Sequence, residues 1–125
     1  MKQHSTRFLS LVAETKKRVK EITPSLLKQK LDNAEPFTIV DVREDNEWLA
    51  TPHIPSAVHI SKGVIERDIE KRIPDIHAPI VVYCSGGYRC ALVADILKQM
   101  GYDNVFSLDS GLSGWVNLGF DVTKE

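Results

Sequence analysis

Only two cysteines, no long apolar run and almost no net charge limit what this chain can be. Cys84 and Cys90 are too few for the disulfide framework of a small secreted domain. No apolar run approaches the ~20 residues that cross a bilayer. The short apolar stretch 8–13 is soon followed by basic residues 16–18, so no signal peptide is expected. The chain has a net charge of −1 and therefore lacks the excess of basic residues typical of nucleic-acid-binding proteins. We therefore expect a cytoplasmic protein without nucleic-acid or membrane partners.

The chain does contain enough apolar sequence for one core. Its 125 residues, 42% of them hydrophobic, fit a single domain. Four short apolar runs are continuous rather than alternating and rich in β-branched residues, as in strands buried on both faces. These runs cover residues 37–42, 57–60, 80–83 and 105–108. Helical stretches are predicted at 45–50, 63–73, 89–100 and 112–118. This alternation predicts an α/β domain, an open parallel sheet flanked by helices on both faces.

Two further helices are predicted before the first strand. Residues 5–21 place apolar side chains on one side and a cluster of Lys and Arg on the other, as in an amphipathic helix. Thr23-Pro24 is a helix start, a cap residue followed by proline, for a helix over 24–31. We predict that residues 1–21 form an N-terminal helical extension and residues 22–125 the domain.

The segment after the run at 80–83 is the best candidate for a functional site. It reads Cys84-Ser85-Gly86-Gly87-Tyr88-Arg89 and joins a predicted strand to a predicted helix, where open α/β sheets gather their sites. Two glycines allow a tight curl that turns backbone N–H groups inward. The helix N-terminus and Arg89 add positive potential. Each effect favours a thiolate, which makes Cys84 a candidate nucleophile; the alternative is an inert cysteine buried at a strand end.

Several neighbouring residues have two interpretations. Cys90 is either a resolving thiol for the loop cysteine or, as we favour, a small core residue pointing away from the pocket. Asp41 and Arg43 are expected to be structural, with Arg43 pairing with Glu47 four residues later. Tyr88 either lines the pocket mouth or packs on the surface. No residues show metal-ligand spacing, so no metal site is expected.

These segments resemble, in order and spacing, the motifs of the rhodanese-like family. The loop from Cys84 to Arg89 resembles its Cys-x-x-Gly-x-Arg active loop, and Asp41-Val42-Arg43 resembles its Asp-Val-Arg signature. His53-Ile54-Pro55-Ser56-Ala57 resembles its His-Ile-Pro-Gly-Ala turn, with Ser56 in place of glycine. Gly111-Leu112-Ser113-Gly114-Trp115 resembles its closing Gly-Gly…Trp element. The match spans residues 22–122.

The resemblance implies a rhodanese-type sulfurtransferase that needs no metal or organic cofactor. Cys84 is then the catalytic nucleophile that takes a sulfane sulfur from a donor such as thiosulfate and becomes a persulfide. A thiophilic acceptor, namely cyanide, a thiol or a protein, removes that sulfur. The backbone N–H groups of Ser85, Gly86, Gly87, Tyr88 and Arg89 are expected to hold the persulfide's negative charge.

Two other functional classes remain open. Cysteine phosphatases and arsenate reductases also use a cysteine in an anion-binding loop that ends in arginine, but they place five residues between the two. Here four intervene, Ser85 to Tyr88, and the smaller loop suits one sulfur atom better than a tetrahedral oxyanion. The second of these classes is a non-catalytic sulfur-carrier or binding module that delivers sulfur to a protein partner through the N-terminal helix.

Overall fold

A computed structural model of the chain describes residues 4–125. Its strands are β1 (Lys20–Ile22), β2 (Thr38–Asp41), β3 (Val58–His59), β4 (Ile80–Tyr83) and β5 (Val105–Leu108). Its helices are α1 (Thr6–Lys16), α2 (Pro24–Asp32), α3 (Asp45–Ala50), α4 (Ile65–Arg72), α5 (Arg89–Gln99) and α6 (Gly111–Asn117), with a 3-10 turn at Lys62–Val64. Over residues 4–125 the five strands form one parallel sheet in the order β1-β5-β4-β2-β3.

Two apolar clusters cover the two faces of the sheet. On one face, α4 and α5 pack through residues such as Ile69 and Leu97 against alternate strand residues. On the other, α2 and α6 pack through Leu27 and Trp115. Burial on both faces explains why β4 is apolar throughout, because each successive side chain enters the opposite cluster. The predicted fold class, an open parallel sheet with helices on both faces, is confirmed.

The predicted strands and central helices lie where the sequence pattern placed them, within one or two residues at most ends. The helix predicted over 24–31 begins at Pro24, and the Thr23 hydroxyl accepts a hydrogen bond from the Leu26 N–H at 3.1 Å. The helix predicted over 63–73 is shorter, because its first turn adopts the tighter 3-10 geometry. None of the helices within residues 4–125 has the length and apolar character needed to span a bilayer.

The helix predicted over residues 5–21 is wrong at its C-terminal end. α1 ends at Lys16, and Lys20–Ile22 is instead the edge strand β1, which pairs in parallel with β5. A three-residue strand is too short to give a period-2 pattern, and its pairing with β5 overrides the helical spacing of Val19 and Ile22. α1 itself packs on α5 and buries Val12 and Thr15. The division at residue 22 between extension and domain stays a prediction.

The position of β4 decides where the site can form. β4 lies between β2 and β5, so the carboxyl ends of these three parallel strands meet at one edge of the sheet. Asp41 ends β2, Cys84 follows β4, and Leu108 ends β5. The loops leaving those strands therefore converge on the segment that begins at Cys84.

Candidate active site

The loop after β4 is a tight turn that only glycine allows at one position. Gly87 has φ of +93°, and a Cβ there would overlap the backbone carbonyl oxygen of Asp109 and lie 2.7 Å from its carbonyl carbon. Gly86 is different, since a Cβ there would meet nothing within 4 Å. Of the two glycines, Gly87 is therefore the one that the loop conformation requires.

The start of α6 holds the same loop from the other side. The Leu112 N–H donates to the Cys84 carbonyl at 2.8 Å, and the Ser113 N–H donates to the Ser85 carbonyl at 2.9 Å. Gly111 makes this contact sterically possible, because it has φ of +61° and a Cβ there would lie 2.6 Å from the Cys84 carbonyl oxygen. The closing Gly-Leu-Ser-Gly-Trp element therefore fixes the backbone on which Cys84 sits.

The Cys84 thiol lies in a polar environment although its residue is only 1% exposed. Its sulfur lies 3.6 Å from the Cys90 sulfur and accepts hydrogen bonds from the N–H groups of Gly87 at 3.2 Å and Cys90 at 3.5 Å. The largest contribution that lowers the pKa of Cys84 is the hydrogen bond with the Cys90 thiol, followed by the two amides and the Arg89 charge. Burial opposes them, and the resulting pKa is about 5. The loop therefore favours the thiolate form of Cys84.

Cys90 is buried in the core as predicted, but it also contacts Cys84. Its side chain is fully buried and faces the core, as expected, but it does not point away from Cys84. The Ser107 hydroxyl donates to the Cys90 sulfur at 3.1 Å, and the Leu108 carbonyl lies 3.6 Å from it. Burial and the neighbouring Cys84 raise the pKa of Cys90 well above its ordinary value. The surroundings thus favour the thiolate at Cys84 and the thiol at Cys90.

Arg89 pairs with Glu47, the carboxylate that was predicted to pair with Arg43. Its guanidinium donates two hydrogen bonds to Glu47 of α3, at 2.6 and 2.9 Å, and the Ser85 hydroxyl donates to the same carboxylate at 3.1 Å. The Arg89 hydrogen bonds lower the pKa of Glu47 to about 2. The predicted pairing of Arg43 with Glu47 is therefore wrong, because the Glu47 carboxylate faces the β4–α5 loop and not Arg43.

Arg43 pairs instead with Asp41, two residues before it. The two side chains are 2% and 0% exposed, with Arg43 Nη2 at 2.9 Å from Asp41 Oδ2, and the Arg43 guanidinium also donates to the Thr51 hydroxyl and the Pro52 carbonyl. These contacts tie the C-terminal end of α3 to the end of β2. Asp41 and Arg43 thus lie in the frame that positions Glu47, away from the Cys84 sulfur.

A pocket of about 420 Å³ opens over the loop. Its wall consists of loop residues, one residue of α6 and two residues from the N-terminal segment: Cys84, Ser85, Gly86, Tyr88, Arg89, Ser113, His4 and Phe8. Tyr88 packs edge-on against Phe8 and His4, with ring centroids 6.3 and 4.8 Å away, so it lines the pocket mouth. His4, Phe8 and Ser113 were not predicted as site residues, since no sequence pattern indicates which element covers the loop.

The predicted site residues thus form one cluster, with differences in detail. Cys84, Ser85, Gly86, Tyr88 and Arg89 line the pocket, whereas Gly87 lies beneath it and reaches Cys84 through its N–H group. The second amide on the Cys84 sulfur comes from Cys90, one residue beyond the predicted set. In the described part of the chain, no three His, Cys, Asp or Glu side chains are grouped to hold a metal ion.

A model of a known protein family matches most of this chain. The family model of the rhodanese-like domain matches residues 23–118. The chain belongs to the rhodanese-like domain family. The family match begins just before α2 and ends one residue after α6, so it contains the whole β4–α5 loop.

Relatives in the family support sulfur transfer in general. The chain is 34% identical to the thiosulfate sulfurtransferase GlpE of Haemophilus influenzae, over 83% of this chain and 96% of that protein. It is 32% identical over 82% of its length to YrkF of Bacillus subtilis, provisionally named a sulfur carrier protein, and spans 54% of that longer protein. A solved structure from Rhodopseudomonas palustris, described as a protein of unknown function and possible tyrosine phosphatase, superimposes with a TM-score of 0.80. At 24% identity over 98% of this chain and 99% of that one, it shows the shared fold alone.

Proposed function

We propose that this protein is a sulfurtransferase that carries a sulfane sulfur on Cys84 as a persulfide. The observation that carries the proposal is the Cys84 sulfur, which lines the pocket and receives two backbone N–H groups, those of Gly87 and Cys90. A thiolate held in this way is a nucleophile at neutral pH. The names of the relatives support the same chemistry without fixing the donor or the acceptor.

The reaction has two steps that balance without a cofactor. The Cys84 thiolate attacks the outer sulfur of thiosulfate, the S–S bond of the donor breaks, and sulfite leaves with the bonding electron pair. Cys84 then bears a persulfide whose outer sulfur carries the negative charge. An acceptor such as cyanide, a thiol or a protein thiolate attacks that outer sulfur and returns Cys84 to a thiolate. Loop amides stabilise the anion in both states.

The charges around the pocket bear on the choice of donor. Among the described residues that line it, Arg89 is the one Lys or Arg side chain, and its guanidinium already pairs with Glu47. A dianion such as thiosulfate therefore meets little uncompensated positive charge. The apolar rings of Phe8 and Tyr88 at the mouth can contact a donor whose sulfane sulfur is attached to an organic group, such as an organic persulfide. The test therefore includes both donor classes.

The test is the intact mass of the reduced Cys90→Ser variant, in which no internal disulfide can form, after anaerobic incubation with thiosulfate or glutathione persulfide. We expect a gain of one sulfur, about 32 Da, that cyanide removes as thiocyanate. Cys84→Ser is the matched control and gains nothing. Phosphatase or arsenate reductase activity is measured in parallel with p-nitrophenyl phosphate and arsenate. Absence of any sulfur adduct with both donors refutes the proposal, and phosphate-ester turnover that depends on Cys84 replaces it.

A further inference from the structure

A second thiol lies directly behind the candidate nucleophile. The sulfurs of Cys84 and Cys90 are 3.6 Å apart, and both cysteines are in the free thiol or thiolate form. A disulfide bond is about 2.0 Å long, so the two sulfurs need to approach by about 1.6 Å. Cys84 directly follows β4 and Cys90 lies in the first turn of α5, so the pair bridges the two ends of the loop.

The pocket and the Cys90 sulfur lie on different sides of the Cys84 sulfur. Cys84 lines the pocket, whereas Cys90 does not line it and contacts Ser107 and Leu108 of β5 in the core. A sulfur added to Cys84 from the pocket therefore projects away from Cys90. Thiol–disulfide exchange requires the attacking sulfur to approach the central sulfur opposite to the leaving one. Cys90 is on the side from which that approach is made.

We propose that Cys90 is a resolving thiol that attacks the Cys84 persulfide and releases its outer sulfur as hydrosulfide. The inference rests on the proposed persulfide chemistry and adds a second activity to the same site, the reduction of sulfane sulfur to sulfide. The immediate product is a Cys84–Cys90 disulfide. A dithiol reductant closes the cycle by returning both cysteines to the thiol state.

The step balances in atoms and electrons. The Cys90 sulfur forms a bond to Cys84 Sγ while the bond from Cys84 Sγ to the outer sulfur breaks, and that bonding pair leaves with the outer sulfur. The Cys90 proton goes to the leaving sulfur, so one persulfide anion and one thiol give one disulfide and one hydrosulfide ion. The Cys90 sulfur is oxidised and the outer sulfur is reduced. The dithiol later supplies the two electrons that reopen the disulfide.

The surroundings of Cys90 change in the direction that this step needs. In the resting protein the neighbouring Cys84 thiolate opposes a negative charge on Cys90. When sulfur is added, the charge moves to the outer atom on the pocket side, and that opposition weakens because the charges are farther apart. The Ser107 hydroxyl, which donates to the Cys90 sulfur at 3.1 Å, stabilises the developing thiolate.

The experiment compares wild type, Cys90→Ser and Cys84→Ser, fully reduced and anaerobic, after one equivalent of glutathione persulfide. Intact mass and released sulfide are followed together. We expect wild type to lose about 2 Da as a disulfide and to release about one sulfide per chain. Cys90→Ser should retain about 32 Da on Cys84 and release little sulfide. Cys84→Ser should do neither, and wild type without donor should keep both thiols.

The outcomes separate this inference from the proposal on which it rests. If wild type keeps the added sulfur as stably as Cys90→Ser does, Cys90 is not a resolving thiol, while the persulfide on Cys84 stands. If no variant gains sulfur and no disulfide forms, both ideas fail. Sulfide release with equal rates in wild type and Cys90→Ser also refutes the inference, because external thiol is then sufficient to resolve the persulfide.

Discussion

Alanine at Gly87 is expected to destabilise the protein strongly, whereas alanine at the adjacent Gly86 is expected to have almost no effect. Gly87 is buried, has φ of +93° and has its would-be Cβ 2.7 Å from the Asp109 carbonyl carbon. Gly86 is exposed and has open space at the same position. The pair therefore tests whether the loop depends on the conformation of one residue or on general flexibility.

The structure gives the size of the effect. A left-handed φ costs a non-glycine residue about 1–2 kcal/mol, and forcing a methyl group into a packed site costs about 1–3 kcal/mol more. We expect Gly87→Ala to lower the free energy of unfolding by about 2–5 kcal/mol. Gly86→Ala should change it by less than about 0.5 kcal/mol. Displacement of the Gly87 N–H also removes one hydrogen bond from the Cys84 thiolate, which should raise the pKa of Cys84 by about 1–2 units.

Two assays measure these effects. Urea unfolding gives the free energy for wild type, Gly86→Ala and Gly87→Ala, and the pH dependence of iodoacetamide alkylation gives the pKa of Cys84. The alkylation rate falls as pH drops through that pKa, because the thiolate is the reacting form. We expect the midpoint near 5 in wild type, given the pKa of about 5, and a higher midpoint in Gly87→Ala alone. Equal stability and equal midpoints in the two variants would refute the steric and electrostatic account of the loop.

Two further predictions use the same assays. Cys90→Ala removes the thiol hydrogen bond that lowers the pKa of Cys84 most, so its alkylation midpoint should lie above that of Cys90→Ser, which keeps a donor; equal midpoints contradict this. Asp41→Asn leaves the buried Arg43 cation without its carboxylate and should cost about 3–5 kcal/mol in urea unfolding. Asp68→Asn, at the solvent-exposed Arg67–Asp68 pair, should cost far less, and a similar loss in both variants would show that burial of the pair contributes nothing.

The fold could be predicted from sequence where burial is two-sided and local. β4 is a continuous apolar run, and β5 is apolar except for Ser107, because each strand is covered on both faces. That pattern can be recognised in the sequence without knowing which elements cover the strands. β1 was missed because it is three residues long and depends on pairing with β5, some 85 residues later in sequence. Its apolar residues also fit a helical spacing, so the local pattern favoured the wrong element.

The candidate site was predictable only as far as it is encoded in one segment. The loop from Cys84 to Arg89 combines cysteine, glycines and arginine at a strand–helix junction, which indicates an anion-stabilising turn. The partners that complete it come from elsewhere in the chain, namely Glu47 on α3, Ser107 on β5 and Phe8 on α1. No local sequence pattern indicates which residues from distant parts of the chain lie beside the loop. The four-residue spacing of Arg43 and Glu47 instead favoured an ion pair between those two residues.

The Glu47–Arg89 pair determines where the stabilisation of a charged sulfur originates. Because Arg89 has its countercharge at 2.6 and 2.9 Å, its field at Cys84 is largely cancelled, and it contributes less to the low pKa of Cys84 than the Cys90 thiol and the amides do. Its principal role is to clamp the loop to α3, which the buried Asp41–Arg43 pair fixes to the sheet. The loop therefore stabilises an anion mainly through oriented hydrogen-bond donors. Such donors act over short distances and are little screened by salt, so the reactivity of Cys84 should depend more on loop geometry than on ionic strength.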